Sequence, residues 1–163
     1  MAKEKLHKTN AARLLDEAGL AYELITYEHN AKDPVDGISV AAKLNEPVEK
    51  VYKTLVTHHG NEYFVFMIPV DQELDLKKAA KAAGQKQLEM LPLKDLTKIT
   101  GYIRGGCSPL GMKKDFPVYV EELVQLEDDF YFSAGKIGMQ IHMKPQDFLD
   151  FRKAEAVALI RED

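Results

Sequence analysis

The amino-acid sequence predicts a single α/β domain built on a mixed β-sheet. Two observations support this fold class. Short apolar segments rich in β-branched residues alternate with short segments bounded by helix-capping residues, from one end of the chain to the other. No linker, internal repeat or low-complexity stretch divides the 163 residues, a length that suits one domain. We therefore expect one domain over residues 1–163.

Residues that begin and end helices mark five predicted helices. Thr9 and Asn10 can accept hydrogen bonds from the first free amides of a helix, and Gly19 can end that helix in a left-handed conformation. By the same reasoning, we predict further helices that begin at Ser39, after Asp75, and at Pro92 and Pro145, since proline is favoured in the first turn of a helix. The predicted helices span residues 10–18, 39–45, 76–84, 92–100 and 145–156, with Gly84 and Gly101 as two of the stops.

Apolar and β-branched segments give the predicted strands. Residues 51–57 and 63–70 flank the polar sequence His-His-Gly-Asn-Glu at 58–62, so we predict a β-hairpin there. Residues 138–143 alternate between apolar and polar side chains, which is typical of a strand. The other predicted strands are residues 21–28, 86–90, 102–104, 118–120 and 130–133, and residues 29–37 are predicted as a loop.

The composition excludes several classes of protein. A hydrophobic fraction of 45% and a charged fraction of 29% are typical of a soluble globular protein. No apolar run approaches the roughly 20 residues that span a bilayer, so no membrane partner is expected, and the start of the sequence lacks the apolar run of a signal peptide. The single cysteine cannot form an internal disulfide, which favours a reducing compartment. We expect a cytoplasmic protein.

The net charge of −4 argues against strong non-specific binding of nucleic acid, which depends on many phosphate contacts. A local basic patch remains compatible with that charge. The alternative is a solvated helix face and a loop, and the charges alone favour this alternative. The lysines concerned are Lys77, Lys78, Lys81 and Lys86 in one segment and Lys113 and Lys114 in another.

The sequence Gly-Tyr-Ile-Arg-Gly-Gly-Cys-Ser-Pro-Leu-Gly-Met-Lys-Lys, at residues 101–114, is a candidate binding loop. Glycine lets backbone N–H groups approach a ligand closely, and such donors can hold a carbonyl oxygen or an anion. The loop matches neither the phosphate loop of nucleotide triphosphatases nor the dinucleotide fingerprint. A tight bend between two strands is the alternative interpretation.

Lys53 is a second candidate, because it interrupts the apolar strand Val-Tyr-Lys-Thr-Leu-Val-Thr. Strand alternation puts Val51, Lys53 and Leu55 on one face of the strand. A lysine among apolar residues is costly unless its ammonium reaches water, a partner or a substrate. The strand pattern fits equally a lysine that protects an edge strand from further pairing.

Cys107 lacks the partners of a catalytic cysteine. A nucleophilic thiol needs a base and a group that orients that base, and the five histidines form no cysteine-protease signature with it. We therefore interpret Cys107 as a small packing residue. No pair of cysteine or histidine residues has the spacing of a zinc site either, so we expect no bound metal. The histidines are His7, His29, His58, His59 and His142.

Taken together, three motifs in order resemble the YbaK/EbsC family of aminoacyl-tRNA deacylases. They are the strand with Lys-Thr-Leu, the loop Gly-Gly-x-Ser-Pro-x-Gly and the turn Ser-x-Gly-Lys-x-Gly at residues 133–138. The resemblance covers the chain from about Ala21 to the last helix. It implies a curled, barrel-like mixed sheet with helices packed around it, as in the editing domain of prolyl-tRNA synthetases.

The resemblance also implies a function. Family members hydrolyse mischarged aminoacyl-tRNA, and the branch with the Gly-Gly-x-Ser-Pro loop is known for removing cysteine from proline tRNA. The implied partners are the acceptor end of aminoacyl-tRNA and prolyl-tRNA synthetase, and no cofactor is implied. An alanine-specific relative that uses water, or a non-catalytic module that binds a tRNA end or a nucleotide, are the alternatives.

The resemblance assigns roles to residues by position. The implied catalytic residues are Lys53, Gly105 and Gly106. The implied substrate-binding residues are Tyr27, Thr54, Ser108, Pro109, Gly111, Ser133, Gly135, Lys136 and Gln140. Gln140 departs from the family, in which many members have an aspartate, and Cys107 stands where relatives carry a plain aliphatic residue.

A mechanism follows as a hypothesis. The amides of Gly105 and Gly106 would bind the oxyanion formed at the ester carbonyl, and the cationic Lys53 would contact the terminal phosphate or ribose of the tRNA or stabilise charge. The resemblance implies that the thiol of the substrate's own cysteine attacks the ester, giving a thiolactone. This route needs no protein nucleophile, since a well-oriented intramolecular group can act with an effective molarity of about 10⁵–10⁸ M.

Overall fold

The computed structural model describes residues 8–30, 32–33 and 35–162, and within them the chain folds into short helices and strands that alternate. The α-helices are α1 (Asn10–Glu17), α2 (Gly37–Leu44), α3 (Leu76–Ala82), α4 (Leu93–Thr100) and α5 (Pro145–Arg152). The strands are β1 (Glu23–Thr26), β2 (Tyr52–His59), β3 (Glu62–Pro69), β4 (Glu89–Met90), β5 (Val118–Glu121), β6 (Phe130–Lys136), β7 (Met139–Met143) and β8 (Glu155–Val157).

These strands form two sheets. One has five strands in the order β4-β2-β3-β5-β8 and is mixed, because β3, β5 and β8 run parallel to one another while β2 is antiparallel to both of its neighbours. The other has three antiparallel strands in the order β1-β7-β6. The predicted α/β class with a mixed sheet is thereby confirmed.

The curled, barrel-like sheet is not present as one closed sheet in the described part of the chain. The two sheets remain separate, and an isolated parallel bridge between Val51 and Tyr131 joins them. A hydrophobic core fills the space between the sheets and includes Phe130, Phe132 and Phe148, of which Phe130 and Phe148 pack edge to face while Phe132 is tilted against both. This core holds β2 and β6 next to each other, which is where the candidate site lies.

Capping residues explain most helix boundaries. The Thr9 side chain accepts a hydrogen bond from the Ala12 amide, Asp75 accepts from the amides of Lys77 and Lys78, and Gly101 ends α4 with φ of +88°. The prediction that Ser39 caps α2 was wrong. Asp36 is the cap, and its carboxylate accepts from both the amide and the hydroxyl of Ser39.

Two predicted elements differ in the structure. Residues 102–104 form no strand, because the chain turns there and the Gly106 amide donates to the Ile103 carbonyl. The last helix ends at Lys153, which is left-handed with φ of +53°, and the next residues form β8 instead of continuing the helix to residue 156. Pairing with β5 outweighs the helix preference of the local sequence there.

Each helix in the described residues is shorter and more polar than a membrane-crossing helix would have to be.

Candidate functional site

A cavity of about 570 Å³ opens beside β2, where the two sheets meet. Its walls come from the start of α2, from β2, from β4 and α4, from the glycine loop, and from β6 and β7. Most of the lining is apolar. Among the lining residues, the charged side chains are Asp36, Lys53 and Arg104, so cations outnumber anions.

Lys53 lines this cavity and is half-buried. Within the described part of the chain its ammonium makes no ion pair or hydrogen bond, which is unusual for a lysine in such surroundings. Burial lowers the pKa of Lys53 below the ordinary lysine value, and the carboxylates of Glu73 and Asp71 oppose that shift. The strand therefore presents a poorly solvated cation without a protein partner.

The edge of β2 that faces the cavity is open. Pairing with β4 begins only at Thr57, and the bridge to Tyr131 is at Val51, so no described strand pairs with the edge between them. The Val51 carbonyl points toward the β3 side of the strand, where it accepts from the Val70 amide. The Val56 carbonyl points to the opposite side, where it accepts from the Leu91 amide. Alternation along the strand then directs the N–H and C=O groups of Thr54 away from β3 and toward this open edge.

Three buried polar atoms without a hydrogen-bond partner among the described residues belong to residues that line this cavity. They are the Tyr52 hydroxyl, Thr54 Oγ1 and Gln140 Oε1. A buried polar atom without a partner typically costs about 1–3 kcal/mol, so such atoms are rare in folded proteins. Three of them in residues around one cavity mark this part of the fold as the candidate site.

Gly105 and Gly106 have different environments. Gly105 lines the cavity with φ of +83°, and a Cβ there would lie 2.8 Å from Cβ of Val35. Gly106 packs against the turn after β6, where a Cβ would lie 3.2 Å from the Ile137 amide nitrogen. Its own N–H donates to the Ile103 carbonyl at 3.0 Å. The Gly106 amide is therefore engaged in a turn, and an oxyanion at this loop would have to use other donors.

The remainder of the Gly-Gly-x-Ser-Pro-x-Gly motif lies behind the cavity and shapes the loop. The Ser108 hydroxyl is buried and accepts from the Leu110 amide, and the Pro109 carbonyl accepts from Arg152 Nε. Gly111 has φ of +76°, and a Cβ there would lie 2.8 Å from the Tyr102 hydroxyl. These contacts explain the residue types without requiring them to touch a substrate.

The Ser-x-Gly-Lys-x-Gly turn contributes one residue to the cavity lining. Ser133 lines it, and its hydroxyl accepts from the Gly135 amide at 3.1 Å. Gly135 lies against the Tyr102 ring with φ of +99°, and Lys136 points to solvent.

Tyr27, the other residue implied by the resemblance, lies outside the cavity lining. Its amide donates to the Gly138 carbonyl at 2.9 Å, and the Lys43 ammonium lies 5.9 Å from its ring. Tyr27 thus connects β1 to the turn after β6.

Cys107 lines the cavity but is poorly suited to nucleophilic chemistry. Its side chain is 8% exposed, and burial raises the pKa of the thiol to about 12, against a weaker opposing effect of a hydrogen bond with Thr100. The thiolate is the nucleophilic form, so the group is unreactive near neutral pH. No histidine of the described residues lines the cavity, and His7 lies outside the described residues.

Cys107→Ala is therefore expected to retain most of the chemical activity of the protein. Thiol-labelling reagents should modify the folded wild type slowly at neutral pH and react at the normal rate after denaturation. Loss of turnover in a Cys107→Ala variant whose circular dichroism and thermal midpoint match the wild type would contradict this role.

Sequence reasoning missed several lining residues. Arg104 and Asp36 bring charge to the cavity, Tyr52 brings an unpartnered hydroxyl, and an exposed apolar rim surrounds the opening. The rim comes from three separate elements, and its residues are Ile38, Met90 and Leu93. Arg104 directly precedes the two glycines of the glycine loop, and this position could have indicated that its charge lies near the site.

Comparison with known proteins gives consistent matches. The model of the aminoacyl-tRNA editing domain matches residues 33–151. An Enterococcus faecalis protein named as a candidate Cys-tRNA(Pro)/Cys-tRNA(Cys) deacylase, EbsC, is 46% identical over 158 residues, which is 95% of each chain. A proline–tRNA ligase of Fervidobacterium nodosum is 30% identical over 115 residues, 65% of this chain and 19% of that one.

Solved structures share the fold at low sequence identity. A protein described as a candidate trans-editing enzyme for prolyl-tRNA synthetase superposes with a TM-score of 0.81 at 19% identity, covering 96% of this chain and all of that one. A hypothetical protein superposes with a TM-score of 0.84 at 18% identity, covering 94% of this chain.

Proposed function

This chain belongs to the aminoacyl-tRNA editing domain family, and from that premise we propose that it removes cysteine wrongly attached to proline tRNA. The proposal takes its substrate from the Enterococcus faecalis relative, whose name gives cysteine esters of tRNA as the substrate. The chain would act in trans, in the cytoplasm, after the synthetase has released the mischarged tRNA.

One observation carries the proposal: the cavity combines a cation that has no partner among the described residues with several polar lining residues, and its described lining includes no histidine that could activate a hydroxyl or thiol for attack on an ester. Lys53, Thr54 and Gln140 supply the polar groups, while the Cys107 thiol stays protonated. A site of this kind can position a reactive molecule and stabilise charge. The nucleophile must then come from the substrate or from water.

The thiol of an esterified cysteine can provide that nucleophile. Its sulfur attacks the carbonyl carbon of the same amino acid, and a carbon–sulfur bond forms. The bond from that carbon to the ribose oxygen then breaks. The thiol proton passes to the departing oxygen, so the products are a cyclic thiolactone and tRNA with a free hydroxyl.

Lys53 and Gly105 stabilise the intermediate. The ammonium of Lys53 offsets the negative charge on the carbonyl oxygen, and the low solvation that depresses its pKa strengthens this attraction. The Gly105 amide, which has no acceptor among the described residues, is the donor from the glycine loop in place of the engaged Gly106 amide.

Gln140 holds the α-ammonium of the amino acid. Gln140 lines the cavity, and its carbonyl oxygen Oε1 is buried without a hydrogen-bond partner among the described residues. A neutral amide oxygen accepts a hydrogen bond from an ammonium without adding a negative charge near the oxyanion. The glutamine thus replaces the aspartate of other family members in its acceptor role and leaves the cavity more positive.

The discriminating experiment compares proline tRNA charged with cysteine, serine or alanine. We expect fast release from the cysteine ester, with a thiolactone as the first product, and slow release from the other two because they lack the thiol. Equal rates for cysteine and alanine would identify a water-dependent deacylase instead. Tight binding without release from any of the three would identify a binding module.

Prolyl-tRNA synthetase is the proposed source of the substrate. Support comes from the similarity between this chain and a segment of bacterial proline–tRNA ligases. This domain would receive charged tRNA that the synthetase releases.

A further inference from the structure

A second groove, of about 460 Å³, lies on the far side of α4 from the cavity. Leu96 of α4 lines the cavity and Lys98 of the same helix lines the groove. Because two positions along an α-helix are about 200° apart around its axis, these two residues lie on opposite faces of α4. The other walls are Asn61 of the β2–β3 turn with the start of β3, at residues 61–64, and the end of the glycine loop with the residues that follow it, at residues 113–117. We call this feature the α4 groove.

Aromatic rings line one side of the α4 groove. The rings of Tyr63 and Phe116 have centroids 5.4 Å apart, and His58 stacks on Tyr63 with centroids 6.3 Å apart and an angle of 26° between the planes. Tyr63 and Phe116 are both partly exposed. Partly exposed aromatic faces are the platforms on which unpaired nucleic-acid bases stack.

Lysines line the other side. Lys98, Lys113 and Lys114 are exposed and line the groove, Glu62 is the acidic residue among its described lining residues, and Lys98 also pairs with Asp95 of the same helix at 3.8 Å. Lys113 donates to the Lys98 carbonyl at 3.2 Å, which fixes its position and leaves two further N–H donors free. This local excess of positive charge stands on a chain whose net charge is −4, so it favours a negatively charged partner.

We propose that the α4 groove binds an unpaired nucleotide near the acceptor end of the tRNA. Its base stacks on Tyr63 with Phe116 beside it, since the planes of these two rings are inclined by 58°, and its phosphate contacts Lys98 and Lys114. The inference rests on the proposed function, because that function brings the terminal ester to the cavity on the other face of α4. The two sites are separated by about one helix diameter, ~10–12 Å, which a short unpaired strand can span.

The glycine loop connects the two sites. Its first half places Arg104 and Gly105 in the cavity, and its end places Lys113 and Lys114 in the groove. The Lys113 amide donates to the Thr100 carbonyl, so the end of the loop is anchored to the last turn of α4. A nucleotide held in the groove would therefore stabilise the loop that carries Gly105.

The test measures affinity for uncharged proline tRNA and for a single-stranded RNA of its acceptor end, as a function of salt. Lys98→Ala/Lys114→Ala should weaken binding by roughly tenfold at low salt and reduce the slope of log affinity against log salt by about 0.7, since the one phosphate that both lysines contact contributes about 0.7 for a single strand. Tyr63→Ala should weaken binding about fivefold or more, while Tyr63→Phe keeps the stacking face and should bind normally.

Lys77→Ala/Lys81→Ala is the matched control. It removes the same charge from exposed positions of α3 that line neither the cavity nor the groove. The proposal would be overturned if the two double variants weakened RNA binding equally, or if the groove variants bound RNA with wild-type affinity. In the second case, loss of binding to a protein in the groove variants would identify the groove as a protein-binding site instead.

A second readout separates this inference from the proposed function. Cleavage of a cysteine ester of adenosine alone, which cannot reach the groove, should proceed at the same rate in wild type and groove variants. Failure of the proposed function would appear as no cleavage of any ester by the wild type, whereas the RNA affinities would still report on the groove. Slower cleavage of the adenosine ester in the groove variants would contradict a role confined to RNA binding.

Discussion

Lys53→Met is expected to lower kcat/KM for deacylation by at least about 10²-fold, the usual effect of removing a group that stabilises an oxyanion. Methionine approximates the length and apolar body of the lysine stem but carries no charge. Because Lys53 has no protein partner in the described structure, its removal leaves no other charge exposed or unpaired. The loss should therefore appear in the chemical step measured by single-turnover cleavage, with little change in tRNA affinity.

The same substitution is expected to stabilise the fold. Burial lowers the pKa of Lys53, so at neutral pH the folded state holds a proton that it binds less tightly than the unfolded chain does. The wild type should gain stability as the pH rises from that lowered pKa toward about 10.4, and Lys53→Met should lack this gain. At neutral pH we expect a thermal midpoint about 2–4 °C above that of the wild type.

Lys81→Met is the control for these measurements, since Lys81 is an exposed lysine of α3. It should change neither the cleavage rate nor the pH dependence of stability. A Lys53→Met variant that keeps wild-type turnover would remove the catalytic role, and one that melts well below the wild type would show that the lysine supports the fold instead.

Gly105→Ala is expected to reduce kcat/KM by about 10²-fold or more. An alanine at φ of +83° is strained, and its Cβ would lie 2.8 Å from Cβ of Val35, a backbone-linked atom that cannot swing away. The loop must therefore shift, and the Gly105 amide moves with it. Deacylation kinetics together with the thermal midpoint measure the two consequences separately.

Gly60→Ala provides a matched comparison. Gly60 also has a positive φ, +60°, but a Cβ there meets nothing within 4 Å, and it lies in the β2–β3 turn. It should lower stability through backbone strain and leave kcat/KM unchanged. In Val35→Ala/Gly105→Ala the Cγ contacts are removed, and we expect partial recovery. Equal kinetics for Gly60→Ala and Gly105→Ala would show that Gly105 has no special position at the site.

Local sequence signals predicted seven of the eight described strands and most helix boundaries, because turns and caps depend on neighbouring residues, but they also placed a strand at residues 102–104 that the structure lacks. The hairpin over β2 and β3 is an example, with Gly60 and Asn61 at its tip. Competition between neighbouring signals caused the error at α2, where both Asp36 and Ser39 are capping residue types. The strand β8 was missed because a distant strand decides it: residues 155–157 pair with β5, more than 30 positions earlier in the chain.

The site was predictable only where one residue contradicts its own local pattern. Lys53 in an apolar strand is such a residue, and so is the glycine pair, of which Gly105 lines the cavity and Gly106 packs against another turn. Tyr52 and Asp36 fit their local patterns as a core residue and a helix cap. Their presence in the cavity depends on how α2, β2 and β7 meet, which no short stretch of sequence encodes.

The open edge of β2 has a consequence for solubility. Unpaired strand edges recruit strands from other molecules, and proteins usually block them with charge, proline or a bulge. In this chain the edge beside Thr54 lies within a cavity walled by α4 and the glycine loop, so the main-chain groups that a ligand can use are shielded from other copies of the protein. Damage to that wall would expose a template for intermolecular β-pairing, and aggregation would accompany the loss of activity.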